Sequence, residues 1–502
     1  MSSSSIQSCS SARLGRILTA WLAAASVVSC SDGTTEPTGA IVSICHGTGA
    51  TATLRNVHMS ELAGYLQQGD YVAKLVVEKA TTQLGDSIHF ARIGDALAVA
   101  RAGRIARNET AVASCRMTIE VGSGVFAGSS NPSTDPAFER LPLVIDVPDI
   151  SLHGAFTMAI DPGGRATGGL LQGTASTTLV ASPGLLTTRL GGAQNFLAEP
   201  EIVVMDLPTG PGGVGAIIEG FVFQSGNSAA NAAPGGNAVF AMRAKGLRVR
   251  HNRFEGGFTE PISFTASQAV LEENHVSGKG GSCGICLVGP GTYEVTGNRL
   301  TGPGGIPGIF TLPVGVLPLP PMVAPLVPPT AALITATITN NEVTNHLQNQ
   351  AGAGLRIGAL GNSSSDVSSA SRIIARNNTL VNNTFGVMVE AAFPVLGTLL
   401  KGDVDLTLQD NTITGNCQNG LYVAFARHVT GLGLLSPAQF QSAAFLKNSV
   451  FSLKLLGEDP PQWKDAWVAN PPGLGNTLTV DGQQIPNGTR VAYDATKVCA
   501  PI

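Results

Sequence analysis

The chain has 502 residues, a formal net charge of −4 and a pI near 6.1, with 13% charged and 5% aromatic residues against 61 glycines. The acidic balance and the scattered cations exclude a basic nucleic-acid footprint, so no nucleic-acid partner is expected. Charged residues at about half the usual share, with glycine this abundant, favour a repetitive β architecture over a helical enzyme.

Arg13 and Arg16 form a short basic region ahead of an apolar run from Ile17 to Val28. That run falls short of the roughly 20 residues a bilayer span needs, so residues 1–29 read as a targeting segment. It closes on Val27-Val28-Ser29-Cys30, which resembles the lipobox of bacterial lipoproteins, whose Cys becomes the diacylated N-terminus. The resemblance implies lipidation at Cys30 and a membrane partner. In a Gram-negative cell, Ser31, where an inner-membrane retention signal would place Asp, would imply an outer-membrane lipoprotein of the cell envelope. Ordinary secretory cleavage with Cys30 incidental is the alternative. Residues 30–39 form a flexible tether.

Residues 40–84 read as a small α/β unit, with a helix opening at an Ser60 N-cap and stopping at Gly69. Cys45-His46 and His58 make an incomplete metal-ligand set, so structural histidines are expected and no metal is assigned. In the stretch IHFARIGDALAVARA, residues Phe90, Ile93, Leu97 and Ala100 fall on one helical face. A strand follows at Met117–Val121, and further strands are expected over 143–147, 150–152 and 202–205.

The middle of the chain is periodic. Seven segments align without gaps, beginning at Ala216, Leu247, Ala269, Tyr293, Ala336, Ile373 and Leu406. The third place is apolar throughout, and so is the eighth. The sixth place holds Asn252, Asn274, Asn298, Asn341, Asn378 and Asn411, with Phe221 in the first segment. Alternation turns the first and third places inward, and the jump to the sixth and eighth demands a bend between them. A second strand, glycine followed by apolar alternation, recurs at Gly284, Gly354, Gly386 and Gly420. The pattern resembles the right-handed parallel β-helix of the pectate-lyase-like superfamily, with one Asn per turn stacked as a ladder at a corner. The resemblance implies an all-β solenoid over residues 85–430, with an N-terminal helix covering the first open rung. Glu219, Arg250 and Glu272, at the fourth place of three successive repeats, are expected to alternate in sign along the coil.

Residues 303–329 carry nine prolines among apolar residues and read as an insertion between rungs. Residues 431–502, with strand-like stretches at Leu478-Thr-Val and Val491-Ala-Tyr, are expected to finish or cap the coil. Setting aside Cys9 and Cys30 leaves six cysteines, which permit 15 pairings. Their distribution favours Cys45–Cys115, Cys283–Cys286 and Cys417–Cys499. Cys283-Gly-Ile-Cys286 has redox or metal motifs as alternatives, but no second such pair completes a zinc site.

Superfamily resemblance alone does not define an activity. The adjacent Asp pair and Gly-His-Gly of polygalacturonase-like enzymes are absent. The weak catalytic candidates are Asp403 and Asp405, two outward carboxylates on one strand, with Glu390 one rung earlier and Arg356 and Arg376 nearby. Under that alternative the protein is a polysaccharide lyase or glycoside hydrolase acting on acidic polysaccharide, and Ca²⁺ is its cofactor. Arg248, Arg250, Arg253 and His251 form the densest basic spot, suited to an anionic sugar. Three Trp and five Tyr are few for stacking on sugar rings. The favoured expectation is therefore a lipid-anchored envelope protein with a non-catalytic display or carbohydrate-binding role. Its partner would be a polysaccharide or a surface protein, with no cofactor.

Overall fold

A computed structural model of the chain describes residues 41–47, 51–79, 88–106, 115–128, 138–139, 141–180, 202–205, 213–225, 236–258, 260–278, 283–302, 307–313, 332–347, 352–359, 369–391, 402–425, 448–457, 466–469, 473, 475–485 and 499. The expected leader, Cys30 and the tether lie outside these residues, as do Val491-Ala-Tyr and most of the proline-rich run. Among the described residues, three long sheets of 14, 10 and 9 strands, parallel except for the terminal strand Gln483–Gln484, wind into one right-handed β-helix.

One rung shows how the repeat builds a turn of coil. Leu247–Arg250 joins the 14-stranded sheet, Arg253–Glu255 the nine-stranded sheet, and Ile262–Thr265 the ten-stranded sheet. Rungs then stack in register, so that Val249, Leu271, Val295, Ile338, Ala375 and Leu408 form one inward column. All six are at most 2% exposed, and the eighth-place residues from Phe223 to Ile413 are buried beside them. The expected bend sits at the fifth place. Gly220, His251, Glu273, Gly297, Asn340, Asn377 and Asp410 hold φ between 50° and 76°, the left-handed conformation that reverses the pleat in a single residue. The second strands at Gly284, Gly354, Gly386 and Gly420 all belong to the ten-stranded sheet.

The asparagine ladder runs unbroken along that corner. Each side-chain amide from Asn252 to Asn378 donates to the Oδ1 of the next rung's Asn at 2.9–3.2 Å, and the backbone N–H of the same residue donates to that oxygen too. Each amide also donates to the third-place carbonyl of the preceding rung, as Asn341 does to Val295 O at 2.8 Å. Phe221 opens the ladder with its backbone N–H on Asn252 Oδ1. Groups that would otherwise be buried unpaired are thus satisfied by translation along the axis. A second, shorter ladder appears at the eleventh place: His346 N–H donates to Asn383 Oδ1, and Asn383 N–H to Asn416 Oδ1, each at 3.0 Å.

The coil extends beyond the expected 85–430 at both ends. Lys74–Val77 pairs in parallel with Met117–Val121, so the first strand of the coil falls inside the supposed N-terminal unit. What remains of that unit is a three-stranded antiparallel sheet of Ile41–His46, Thr53–His58 and Tyr71–Val72 with one short helix. Ser60 lies within that helix's opening 3₁₀ turn, Met59–Glu61, and is not its N-cap; Gly69, at φ +87°, ends it as expected. Downstream, Val450–Leu456 and Thr477–Val480 continue the 14-stranded sheet, and Ala466–Ala469 the ten-stranded sheet. Those rungs, like the ones at Met117–Val121 and Ile150–His153, lack the asparagine corner of the middle repeat. Pro307–Leu312 is likewise a fully buried strand of the ten-stranded sheet, so the proline-rich insertion cannot begin at 303. Its proline stands at the strand's first residue, where no ladder N–H is lost from the interior.

The helix Ile93–Ala106 packs Ile93, Ala96, Leu97 and Ala100 on the start of the coil. Phe90 is not part of it; it lies in the short strand His89–Phe90 on the edge of the 14-stranded sheet. The helix N-terminus is closed by Glu139, whose carboxylate accepts the N–H groups of Ile93 at 2.7 Å and Gly94 at 3.2 Å. The three expected disulfides join Cys45–Cys115, Cys283–Cys286 and Cys417–Cys499. The first and last span 70 and 82 residues. Loops of that length remove about 4 kcal/mol of unfolded-chain entropy each, roughly twice what the four-residue central loop removes.

Candidate functional site

The outer face of the 14-stranded sheet is open over its later rungs. Thr335, Arg372, Asp405 and Ser452 stand in one row along the axis, and Thr337, Ile374, Thr407 and Lys454 in the next. Thr339, Arg376 and Gln409 form a third. Rows in such a sheet are about 6.6 Å apart and rungs about 4.8 Å apart, which gives a flat grid of hydroxyls, cations and carboxylates. Asp403 and Asp405 point outward from it as expected, flanking the buried Val404 and Leu406. Asp405 is exposed; the Oδ1 of Asp403 accepts the Val450 N–H at 3.0 Å.

Glu390 does not join them. It lies on the ten-stranded sheet, outward from the coil yet fully buried, and its carboxylate is ion-paired with Arg356, itself 2% exposed. The Arg356 guanidinium also stacks 5.3 Å over the Phe310 ring. The proposed trio of carboxylates is therefore split between two sides of the solenoid. Arg356 is with Glu390, not with the two aspartates, and Arg376 stands in register with Gln409. A calcium ion needs six to eight oxygen ligands, and two aspartates on a flat face, one of them holding a backbone N–H, do not fit it.

The basic spot is internally neutralised. Arg250 is ion-paired with Glu219, Arg253 with Glu255, Arg248 with Glu272 at 3.7 Å, and His251 with Glu273 at 2.8 Å. The expected sign-alternating column is present, with Glu219, Arg250 and Glu272 in register. It extends upstream through His153, 3.2 Å from Glu219. Its cations serve rung alignment, at under about 1 kcal/mol per half-exposed pair. His46 is likewise satisfied, by Asp70 at 2.7 Å.

A polar cluster that sequence reading missed lies on the nine-stranded sheet. The hairpin Met158–Ile160 and Ala166–Leu170 is strapped along its outer face. Arg299 Nη2 donates to Asp161 Oδ2 at 3.0 Å and to Glu342 Oε2 at 2.8 Å, and Arg165 Nε reaches Asn340 O at 3.1 Å. Gly168 (φ +78°) sits on the His275 imidazole so closely that a Cβ there would come within 2.6 Å of the ring; only glycine fits. His275 stands in register between Arg253 and Arg299. Burial, then those two cations, push its pKa down to about 4, with Glu255 opposing. The alternation of Arg253, His275, Arg299 and Glu342 at the seventh place is visible in the sequence; the strap that reaches them from residue 161 is not.

The low His275 pKa gives a signed expectation. The unfolded chain binds a proton there below about pH 6.5, the folded chain only below about 4, so stability is full above 6.5 and falls as pH drops through that window. The loss by pH 4 is of the order of 3 kcal/mol. Urea midpoints measured at pH 7 and pH 4.5 should converge markedly in His275→Gln; an unchanged difference would show that other groups carry the acid sensitivity.

No family model matches the chain, and no curated protein matches it in sequence. In structure it is similar to the endo-xylogalacturonan hydrolase of Aspergillus tubingensis, at 11% identity and a TM-score of 0.41 over 82% of this chain and 92% of that one. It is also similar to the DFA-IIIase of Arthrobacter chlorophenolicus, at 12% identity and a TM-score of 0.41 over 82% and 94%. Tailspike protein 3 of bacteriophage CBA120 aligns at 10% identity and a TM-score of 0.33 over 88% and 65%.

Proposed function

We propose that the protein is an exported lipoprotein, anchored through Cys30 to the outer membrane, whose solenoid presents a non-catalytic binding face to a polysaccharide. The observation that carries the non-catalytic reading is the separation of the candidate acids: Asp403 and Asp405 face outward from the 14-stranded sheet, while Glu390 is buried with Arg356 on the ten-stranded sheet. General acid and base must converge on one bond across the sugar. Of the candidates only Asp403 and Asp405 share a face, about 6.6 Å apart as alternate residues of one strand, and Asp403 is already engaged by the Val450 N–H. The exposed grid around Arg372, Thr335 and Asp405 instead offers regularly spaced donors and acceptors on rigid strands, which suits a repeating, hydroxyl-rich polymer.

Affinity electrophoresis of the full chain through gels holding neutral and uronic-acid polysaccharides tests the reading. At least one polymer should retard the protein, and Arg372→Ser should weaken that retardation without new reducing ends appearing. Release of unsaturated or shortened oligosaccharides, abolished by Asp405→Ala, would overturn it in favour of a polysaccharide lyase or glycoside hydrolase. The anchor is tested separately: Cys30→Ser should move the protein from the membrane fraction to the soluble one and change the mature mass by the loss of its acyl chains. An unaltered fraction and mass would remove the anchor from the proposal.

A further inference from the structure

Cys283 and Cys286 close a disulfide across one corner of the coil, in a stretch of backbone that the neighbouring rungs already hold. Gly284 N–H donates to Pro307 O at 3.1 Å, and the Gly284 carbonyl accepts from Ile262 N–H at 3.4 Å. Cys286 is in register with Ser263 on one side and Phe310 on the other. A bond closing so short a loop removes only about half the chain entropy that either long loop does, and the ladder bonds of Gly284 and the register of Cys286 hold this stretch independently of it. Both are buried, at 1% and 0% exposure. A third group reaches them from the preceding rung: a carboxylate oxygen of the half-buried Glu260 lies within 4.8 Å of both sulfur atoms.

Two thiolates and one carboxylate converging at a rigid corner are the donor set of a borderline-soft divalent cation, zinc above all, with one position left to water. We propose that this corner is a redox-gated zinc site. In the disulfide state neither sulfur carries the negative charge that would bind the ion. A dithiol reductant gives two electrons and two protons to the Cys283–Cys286 bond and leaves as its own disulfide. The two thiols then release their protons to solvent as zinc binds the thiolates and the Glu260 carboxylate. In an oxidising exterior the disulfide persists and the site takes no metal; a local excess of dithiol opens it.

The test uses the full chain reduced with a non-chelating phosphine, incubated with or without zinc, alkylated, and mapped by peptide mass spectrometry. Zinc should slow alkylation of Cys283 and Cys286 while leaving Cys417 unaffected, and native mass spectrometry should show one zinc per reduced chain and none per oxidised chain. Glu260→Gln should raise the zinc concentration needed for protection by at least about tenfold. The proposal fails if zinc leaves Cys283 and Cys286 unprotected, if Glu260→Gln is protected at the wild-type zinc concentration, or if protection falls equally on all six cysteines. Reduction that unfolds the chain would expose every cysteine alike and so counts against it.

Discussion

Asn341→Ala is expected to destabilise the solenoid by about 3–5 kcal/mol, because several buried polar groups lose their partner at once and each costs about 1–3 kcal/mol. Asn341 is fully buried. Its Oδ1 accepts the backbone and side-chain N–H of Asn298 at 2.9 and 3.0 Å, and its amide donates to Val295 O, Thr339 O and Asn378 Oδ1 at 2.8–3.0 Å. Alanine removes all five bonds in the interior of the ladder. Asn341→Asp sharpens the point, since it keeps the acceptor but turns the donor into a second acceptor facing three oxygens. That side chain must be protonated to fit, so its folded pKa is raised. Relative to wild type the variant should be least destabilised in acid, and its deficit should grow as pH rises through that value. Urea unfolding with an unchanged slope measures both. Glu294→Gln, exposed on the outer face of the adjacent strand, should move the midpoint by under about 0.5 kcal/mol. An Asn341→Ala variant within 1 kcal/mol of wild type would mean that water replaces the amide without loss.

Removing one member of the Arg356–Glu390 pair is the second large effect. With both side chains at 2% exposure or less, Glu390→Gln leaves a guanidinium buried without its counter-charge. Breaking such a pair typically costs about 3–5 kcal/mol, whereas replacing both partners with apolar residues is often near neutral. Arg356→Met with Glu390→Leu should therefore recover most of the stability lost in either single variant, since Phe310 already provides an apolar neighbour. A double-mutant cycle of thermal midpoints reads this directly. If both single variants melt like wild type, the pair is solvated and the ten-stranded face is open. If the double variant is stable but no longer retained by the polysaccharide that binds wild type, the binding face includes this side of the coil.

The coil was legible in the residues because its determinants are local and repeated. Places one, three, six and eight lie within ten residues, so strand alternation and a single tight bend specify which side chains turn inward whatever the loops between rungs contain. The Asn column followed from the same reasoning, as did the sign-alternating column from Glu219 to Glu272. The second ladder was within reach: His346, Asn383 and Asn416 share the eleventh place, though only three segments carry it. The rungs at Lys74–Val77 and Val450–Leu456 lie outside the Asn-marked repeat, as do those at Met117–Val121 and Ile150–His153, whose apolar alternation was legible without the corner.

The candidate site was less legible, because which outward residues meet depends on the sheet that carries each of them, and the periodicity of one segment does not carry that information. Alternation alone placed Glu390 outward beside Asp403 and Asp405. Only the three-sided path of the chain put it on another face, buried against Arg356. Asp161 meets Arg299 across 138 residues, and Glu260 meets the Cys283–Cys286 pair from the rung before it. What the sequence by itself determined is the repeating unit and its inward face, since short-range sterics and hydrogen bonding set both. Apart from that one charge column, the outer faces, with their strap and three carboxylates, were decided by tertiary structure, because those contacts run between separate strands and sheets rather than along one strand.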